Sequence, residues 1–129
     1  MGVFAYLKNR TTIFQVKNNQ EEINMDFIKN IKPKELAPGI TGYYAHGEKE
    51  TFGYIELKKG STVPLHSHIN EQITYIIEGQ LDMVIDGIAC SLTAGMYHII
   101  PSNVLHSAVA ATDCKVIDAF APAREDYKS

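Results

Sequence analysis

The sequence contains no tryptophan, only two cysteines and no dense run of lysine and arginine. The two cysteines, Cys90 and Cys114, cannot form a disulfide framework and neither belongs to a Cys-x-x-Cys pair, so we expect both to stay reduced. Twelve basic and fifteen acidic residues give a formal net charge of −3. This balance argues against nucleic acid and anionic lipid as partners and favours a small molecule.

Long apolar segments are also absent. The longest runs, such as residues 73–77, are far shorter than the roughly 20 residues that a membrane-spanning helix needs. The apolar stretch at residues 3–7 is too short for the core of a secretory signal peptide. The sequence therefore predicts no membrane association, and a cytoplasmic location is the default expectation.

Helix-length amphipathic patterns are missing as well, whereas short β-rich runs recur between turn signals. This pattern is typical of an all-β sandwich or barrel. The strongest turn signal is Asp86-Gly87, because glycine accepts the positive φ of a two-residue type I′ hairpin. Residues 33–39, with two prolines and a glycine, are predicted to form an irregular connection or a single helical turn. The predicted strands lie near residues 11–17, 27–31, 41–46, 51–58, 62–66, 72–78, 80–86, 88–93, 97–100, 104–110 and 114–120.

A chain of 129 residues fits one hydrophobic core. The compact pattern begins near residue 25, so we expect the main domain over residues 25–129. Residues 1–24 are interpreted as an N-terminal extension that could supply an added strand.

Three of the five histidines form a pattern with a chemical meaning. His66 and His68 are two residues apart, so on a strand they share a face, and Gln72 has the same parity. His106 follows the turn signal at residues 101–103, which could return it over the first pair. Three ring nitrogens and one amide oxygen suit a first-row divalent metal with open coordination positions.

The neighbouring polar residues have simpler interpretations. Glu71 competes as an oxygen ligand, but its parity points away from the histidine pair unless the backbone bulges. His46 lies beside a glycine and is interpreted as a solvated turn residue. For His98 we favour a place in the core or behind the ligands over metal ligation.

The spacing of these residues resembles the two motifs of the cupin family, which read here Gly60-x5-His66-x-His68-x3-Gln72-x6-Gly79 and Gly95-x5-Pro101-x-Asn103-x2-His106. The resemblance implies a double-stranded β-helix, also called a jelly-roll barrel, with the metal inside. It implies one divalent transition metal, with nickel, zinc, manganese and iron all open. The ligands that it implies are His66, His68, Gln72 and His106.

Three positions depart from the family pattern. Gln72 stands where most cupins carry glutamate, Asn103 replaces a glycine and Ala110 replaces an asparagine. Asparagine tolerates the left-handed conformation that a glycine turn needs, so the second change is mild. The amide of Gln72 leaves the site one unit more positive, which favours Lewis-acid work on an anionic substrate over support of high-valent iron.

The C-terminal strand carries a second signature, Asp118-x-Phe120-x3-Arg124. Together with the histidine motif it resembles the pectin-degradation cupins that linearise 4,5-unsaturated monouronates. The resemblance implies that Asp118 and Phe120 lie beside the reacting carbons and that Arg124 meets the sugar carboxylate. Opening the ring to a 5-keto-4-deoxyuronate requires proton transfer, which a carboxylate such as Asp118 can perform.

Two other functions stay open at this point. One is a metal-bearing cupin that binds a small molecule without turnover, and the other is a non-haem iron dioxygenase, which Gln72 disfavours. We also expect a homodimer, because a small jelly roll leaves sheet edges open and residues 1–31 contain two β-prone runs that could cover a partner's edge.

Overall fold

The computed structural model describes residues 2–8, 11–17 and 22–128, which fall into two compact units, Met1–Lys32 and Pro33–Ser129. This division lies further along the chain than the boundary after residue 24 that the sequence predicts. The first unit contains an antiparallel sheet in the order β1-β2-β3. Its strands are β1 (Gly2–Lys8), β2 (Thr11–Lys17) and β3 (Glu22–Met25).

The strand predicted at residues 27–31 is wrong, because this segment contains a 3-10 helix at Ile28–Asn30. The Asp26 carboxylate accepts hydrogen bonds from the Phe27 backbone N–H at 2.7 Å and from Asn30 Nδ2 at 2.6 Å. Such side-chain bonds to nearby groups offer the backbone an alternative to a strand. The alternation of apolar and polar residues does not indicate these local hydrogen bonds to Asp26.

The second unit contains two antiparallel sheets, which confirms the predicted all-β jelly-roll class. The four-stranded sheet has the order β10-β9-β12-β7, and the six-stranded sheet has the order β11-β8-β13-β6-β5-β4. A 3-10 helix at Glu125–Tyr127 follows the last strand. The strands are β4 (Lys34–Ala37), β5 (Ile40–His46), β6 (Thr51–Leu57), β7 (Thr62–His66), β8 (Glu71–Glu78), β9 (Gln80–Ile85), β10 (Ile88–Thr93), β11 (Tyr97–Ile100), β12 (His106–Ala110) and β13 (Cys114–Ala121).

Alternating burial along the strands forms the core between the two sheets. Each large apolar side chain that leaves water contributes on the order of 1.5–3 kcal/mol, so the inward faces hold the sheets together. On β8 two of the inward positions are polar, Gln72 and Thr74, and both are buried. The core is lined by Ile40, Tyr44, Ile55, Leu57, Ile76, Leu81, Met83, Ile85, Leu92, Ile100, Val116 and Phe120.

Two tight turns confirm predictions from the sequence. Asp86 and Gly87 have φ values of 51° and 77°, as a type I′ hairpin between β9 and β10 requires. Asn103 adopts a φ of 65°, the left-handed conformation in which it stands for glycine. The Asn103 backbone N–H donates to the carbonyl of His68 at 2.8 Å, which ties the two motifs together.

The segment at residues 33–39 contains the edge strand β4 where an irregular connection was predicted. Its pairing with β5 shifts register between Glu35 and Ala37, and an irregular edge of this kind carries little sequence signal. Among residues 2–8, 11–17 and 22–128, no helix is long and apolar enough to cross a membrane.

Candidate metal centre and cavity

Three histidines converge at one end of the barrel. His66 ends β7 and His106 begins β12, and the two are paired across the ladder. His68 lies in the connection between β7 and β8, where the chain passes from one sheet to the other. One potential ligand atom from each of the three rings lies within 4.8 Å of the others. The corner between the sheets, and not the shared face of a single strand, therefore brings them together.

Each histidine ring is oriented by a backbone carbonyl two residues away. The Nδ1 atoms of His66, His68 and His106 lie 2.7, 3.0 and 2.8 Å from the carbonyl oxygens of Pro64, Asn70 and Val104. A carbonyl only accepts, so Nδ1 carries the proton in each ring. In the neutral form of each ring, the Nε2 lone pair is then free to bind a metal. Hydrogen bonds from the other ring nitrogen to a carbonyl orient metal-binding histidines in this way.

Gln72 brings an amide oxygen to the same place. Its Oε1 lies 3.0 Å from His68 Nε2. Burial, together with the charge of Arg124, lowers the pKa of His68, and burial lowers the pKa of His106, so both rings favour the neutral form. Lone pairs of a neutral imidazole and of an amide oxygen then face each other, an arrangement that a cation stabilises. The donor set therefore fits a divalent metal ion.

The alternative candidates lie outside this cluster. Glu71 is exposed on the opposite face of β8, as its parity predicts. His46 is exposed, as predicted for a solvated residue, but it is the last residue of β5, and its Nδ1 lies 2.8 Å from the Thr51 hydroxyl. His98 is half-buried on β11, where it pairs with Thr74 of β8.

A chain of hydrogen bonds leads from Gln72 to Asp118. Gln72 Nε2 donates to Thr74 Oγ1 at 2.9 Å, and the Thr74 hydroxyl donates to Asp118 Oδ1 at 2.7 Å. Thr74 and Asp118 are direct partners in the β8–β13 ladder, as are Gln72 and Phe120. The register between these two strands therefore places the amide, the hydroxyl and the carboxylate in one line.

The pKa of Asp118 lies above its usual range. Burial is the largest cause and raises it, whereas the hydrogen bonds from Thr74 and Gln72 and the charge of Arg124 oppose the rise without cancelling it. Carboxylates with a raised pKa are suited to taking up and returning a proton near neutral pH.

Arg124 is buried at the C-terminal side of the cavity, with only 5% of its surface exposed. Its Nε and Nη2 atoms donate to the two carboxylate oxygens of Asp126 at 3.0 and 2.8 Å. The guanidinium carbon lies 3.8 Å from the ring centroid of Tyr127 and 4.8 Å from that of Phe120. The two hydrogen bonds to Asp126 and the two aromatic rings therefore hold the guanidinium in one orientation.

Two buried polar residues hold the backbone that carries Arg124. The Thr51 hydroxyl accepts from the Arg124 backbone N–H at 2.9 Å. Asn70 Nδ2 donates to the carbonyl of Pro122 at 2.6 Å, while the Asn70 carbonyl accepts from His68. Asn70 therefore joins the histidine cluster to the C-terminal segment.

The cavity between the sheets has a volume of about 70 Å³. Its apolar lining includes Ile55, Leu81 and Met83. Its polar lining, which we call the polar end, includes His66, Gln72, Thr74, His106, Asp118 and Arg124. The cavity thus brings together polar side chains from both sheets and the C-terminal segment.

Tyr44 and Tyr127 form an aromatic side of this cavity that sequence reasoning missed. Their ring centroids are 4.8 Å apart, and burial raises the pKa of Tyr44 far above its usual value. A Cβ atom at Gly42 or Gly53 would lie 2.5 or 2.6 Å from the Tyr44 ring, so the ring requires glycine at both neighbours. This pair of strand glycines is the signal that could have identified Tyr44.

Thr74 and Asp126 were also missed. Thr74 shares the parity of Gln72 on β8, so its face was predictable, but its partner on β13 depends on the register. Asp126 follows Arg124 by two residues, and a charged chain end looks like a solvated tail.

A protein-family model matches this chain. The model described as "Cupin domain" matches residues 53–120. The chain is also similar to the pectin degradation protein KdgF of Dickeya dadantii (strain 3937), with 32% identity over 75 residues that make up 57% of this chain and 68% of that protein.

Solved structures are similar to a larger share of the chain. The structure of KdgF from Halomonas sp. has a TM-score of 0.72 at 27% identity and covers 78% of this chain and 94% of its own. An RmlC-like cupin from Shewanella frigidimarina has a TM-score of 0.75 at 28% identity, with 88% and 97% covered. A salicylate 1,2-dioxygenase from Pseudoaminobacter salicylatoxidans, 19% identical with a TM-score of 0.64 over 70% of this chain and 29% of its own, shares the fold alone.

Proposed function

Since the chain belongs to the cupin family, we propose that it is a metal-dependent enzyme that converts 4,5-unsaturated monouronates to the linear 5-keto-4-deoxyuronates, or a close relative acting on another sugar acid. The observation that carries this proposal is the juxtaposition of a three-histidine cluster, two of whose members (His66 and His106) line the cavity, with the Asp118 carboxylate and the Arg124 guanidinium in that cavity. Similarity to two proteins named KdgF, one of them described as a pectin degradation protein, supports the substrate class.

The proposed reaction is an isomerisation in which no atom is gained or lost. The anomeric hydroxyl loses its proton, the bond between C1 and the ring oxygen breaks, and an aldehyde forms at C1. The ring oxygen leaves with the electron pair of that bond and becomes the oxygen of an enolate at C5, and protonation of C4 then gives the 5-keto product. One carboxylate that takes the first proton and delivers one to C4 suffices for both transfers.

Each role has a candidate in this chain. Asp118 moves the proton, since its raised pKa makes it a good acceptor and donor. Phe120 packs beside the His68 ring and forms an apolar floor next to the reacting carbons. His66, His68, His106 and Gln72 would hold one divalent ion, and that ion, when bound, supplies Lewis-acid polarisation of a substrate oxygen.

Arg124 would bind the sugar carboxylate through the N–H groups that Asp126 leaves unused. A planar guanidinium that is already oriented by Asp126 and Tyr127 loses little freedom on pairing with a carboxylate. The substrate carboxylate would therefore be held by the charge of Arg124, and the rest of the substrate by the other polar side chains of the cavity.

The test follows the absorbance of the conjugated C4–C5 double bond of an unsaturated galacturonate or mannuronate. We expect the band to decay faster with the metal-loaded protein than without protein, and more slowly again after the metal is chelated. A decay equal to the spontaneous rate on both substrates would refute the uronate reaction for this chain.

A specific observation favours a second candidate, a metal-bearing cupin that binds a small anion without turnover. The cavity of about 70 Å³ is smaller than the roughly 300–1,000 Å³ of clefts that hold drug-sized ligands, and Asp126 already occupies one edge of Arg124. Calorimetric binding of the uronate with no loss of its absorbance band would select this candidate over the enzyme.

The homodimer expected from the sequence stays a prediction. Large apolar side chains on the outward face of the six-stranded sheet support it, because uncovered apolar patches commonly mark protein contacts. They include Phe52, Ile73, Tyr75, Tyr97 and Ile99, which are 41–66% exposed. Light scattering at micromolar concentration should give twice the mass of the 14.4 kDa chain, and a monomer mass would contradict the prediction.

A further inference from the structure

Thr74 is a buried hydroxyl between a candidate metal ligand and a candidate proton carrier. It is 1% exposed, and its Oγ1 lies 2.9 Å from Gln72 Nε2 and 2.7 Å from Asp118 Oδ1. All three side chains face the cavity. The Thr74 oxygen therefore has two polar neighbours and a single hydrogen to share between them.

The direction of these two bonds follows from the groups themselves when Asp118 is ionised, the form that the proposed reaction starts from. An ionised carboxylate only accepts, so the Thr74 hydrogen is donated to Asp118, and the short distance is typical of a hydroxyl bonded to a charged acceptor. The Thr74 oxygen then has only lone pairs to offer to Gln72. Its neighbour on that side must be a donor, and the NH₂ is the only donor of the Gln72 side chain.

The orientation of the Gln72 amide decides whether its oxygen or its NH₂ group faces the histidine cluster. With Nε2 on Thr74, the Gln72 oxygen lies 3.0 Å from His68 Nε2. The reversed amide would place an oxygen against the lone pairs of Thr74 and turn its NH₂ towards the cluster. Metal ions bind the oxygen of a carboxamide, and the NH₂ group offers them no comparable lone pair.

We propose that Thr74 is a positioning residue that selects the oxygen of Gln72 as the metal-facing atom, by accepting from the amide NH₂ while donating to Asp118. The inference rests on the proposed metal site and not on the uronate chemistry. It also gives a reason for a buried polar side chain at an inward position of β8.

The experiment measures the affinity for Ni²⁺ by competition with a chromophoric chelator. Thr74→Val keeps the shape and removes the hydroxyl, and Thr74→Ser is the control that restores it. We expect Thr74→Val to weaken Ni²⁺ binding by roughly 10–100-fold, the usual cost of removing an outer-shell partner. Thr74→Ser should stay within about threefold of the parent chain on the same scale.

A second background separates positioning from packing. Gln72→Glu has an oxygen at both ends of its head group, so there is no end for Thr74 to select. In this background Thr74→Val should change the Ni²⁺ affinity by less than about threefold. A packing role would weaken binding in both backgrounds alike.

The outcomes distinguish the positioning role of Thr74 from the proposed metal site on which it rests. If the parent chain binds Ni²⁺ and Thr74→Val binds it equally well, or loses as much affinity in both backgrounds, the positioning role is overturned and the metal site stands. If the parent chain binds neither Ni²⁺ nor Zn²⁺, both are overturned. Thermal melting of each metal-free variant establishes folding, and Thr74→Ala takes the place of Thr74→Val in both backgrounds if valine prevents it.

Discussion

The two sides of the polar end of the cavity are built by different means. The histidine side consists of His66, His68 and His106, and each ring is held by a carbonyl two residues away in its own segment. The strand side consists of Gln72, Thr74 and Asp118, which hold one another across the β8–β13 ladder.

This difference bears on how robust each side is. A ring held by its own segment keeps its tautomer and orientation wherever that segment is placed. Side chains that hold one another depend on the register, because a slip of one residue turns each of them to the opposite face of the sheet. The directed lone pairs of the three histidines are therefore set locally, whereas the Gln72 amide and the proposed proton carrier depend on the fold.

The largest expected effect is on the histidine side. His68→Ala and His106→Ala should each reduce bound metal from about one ion per chain to none, because only two imidazoles remain. Elemental analysis after dialysis measures the occupancy. His98→Ala, which removes a histidine outside the cluster, is the matched control and should keep the parent occupancy. Full occupancy in either of the first two variants would contradict the ligand assignment.

The next effect is on the strand side. Asp118→Asn keeps the shape and removes the base, so kcat on the unsaturated uronate should fall by at least about 10²-fold while the metal stays bound. Stopped-flow absorbance and elemental analysis check the two parts. Asp82→Asn is the control, since the Asp82 carboxylate accepts hydrogen bonds from Gln80 and Ser91 on β9 and β10 and is not among the residues that line the cavity. A kcat within a few-fold of the parent would remove Asp118 from the mechanism.

A smaller effect is expected at Arg124. Arg124→Lys retains the charge and loses the planar fork, so KM should rise by roughly 10-fold with kcat nearly unchanged, because the contact exists in ground and transition states alike. Steady-state kinetics at several substrate concentrations separates the two constants. Lys128→Ala removes a neighbouring exposed cation as the control. A loss in kcat alone would show that Arg124 acts on the reacting atoms instead.

The smallest effect is a pH dependence of stability at Asp126. The hydrogen bond from Arg124 lowers the pKa of Asp126 below its ordinary value, so the bond stabilises the fold above pH 3.8 and its contribution is lost as the pH falls through the lowered pKa. Asp126→Asn should therefore be less stable than the parent at pH 7, with a difference that shrinks below pH 3.8. Urea unfolding at pH 7, 5 and 3.5 measures it, with Glu125→Gln as the control; a difference that grows on acidification would contradict the assignment.

Much of the fold could be predicted because alternation and turn chemistry are local. The hairpin at Asp86-Gly87 and the left-handed Asn103 follow from the conformations that these residues tolerate. The 3-10 helix at Ile28–Asn30 and the edge strand Lys34–Ala37 could not be predicted, since local hydrogen bonds to the Asp26 carboxylate accompany the first and an irregular pairing the second.

The donor atoms follow from the sequence alone: three histidines, an amide four residues after His68 and a carboxylate on the last strand. The place of His68 at the corner between the sheets depends on the tertiary structure. So do the position of Thr74 between Gln72 and Asp118 and the hydrogen bonds from Arg124 to Asp126. The physical reason is the range of each interaction. Parity and spacing act within one segment, whereas register and the crossing between sheets depend on the packing of the whole core.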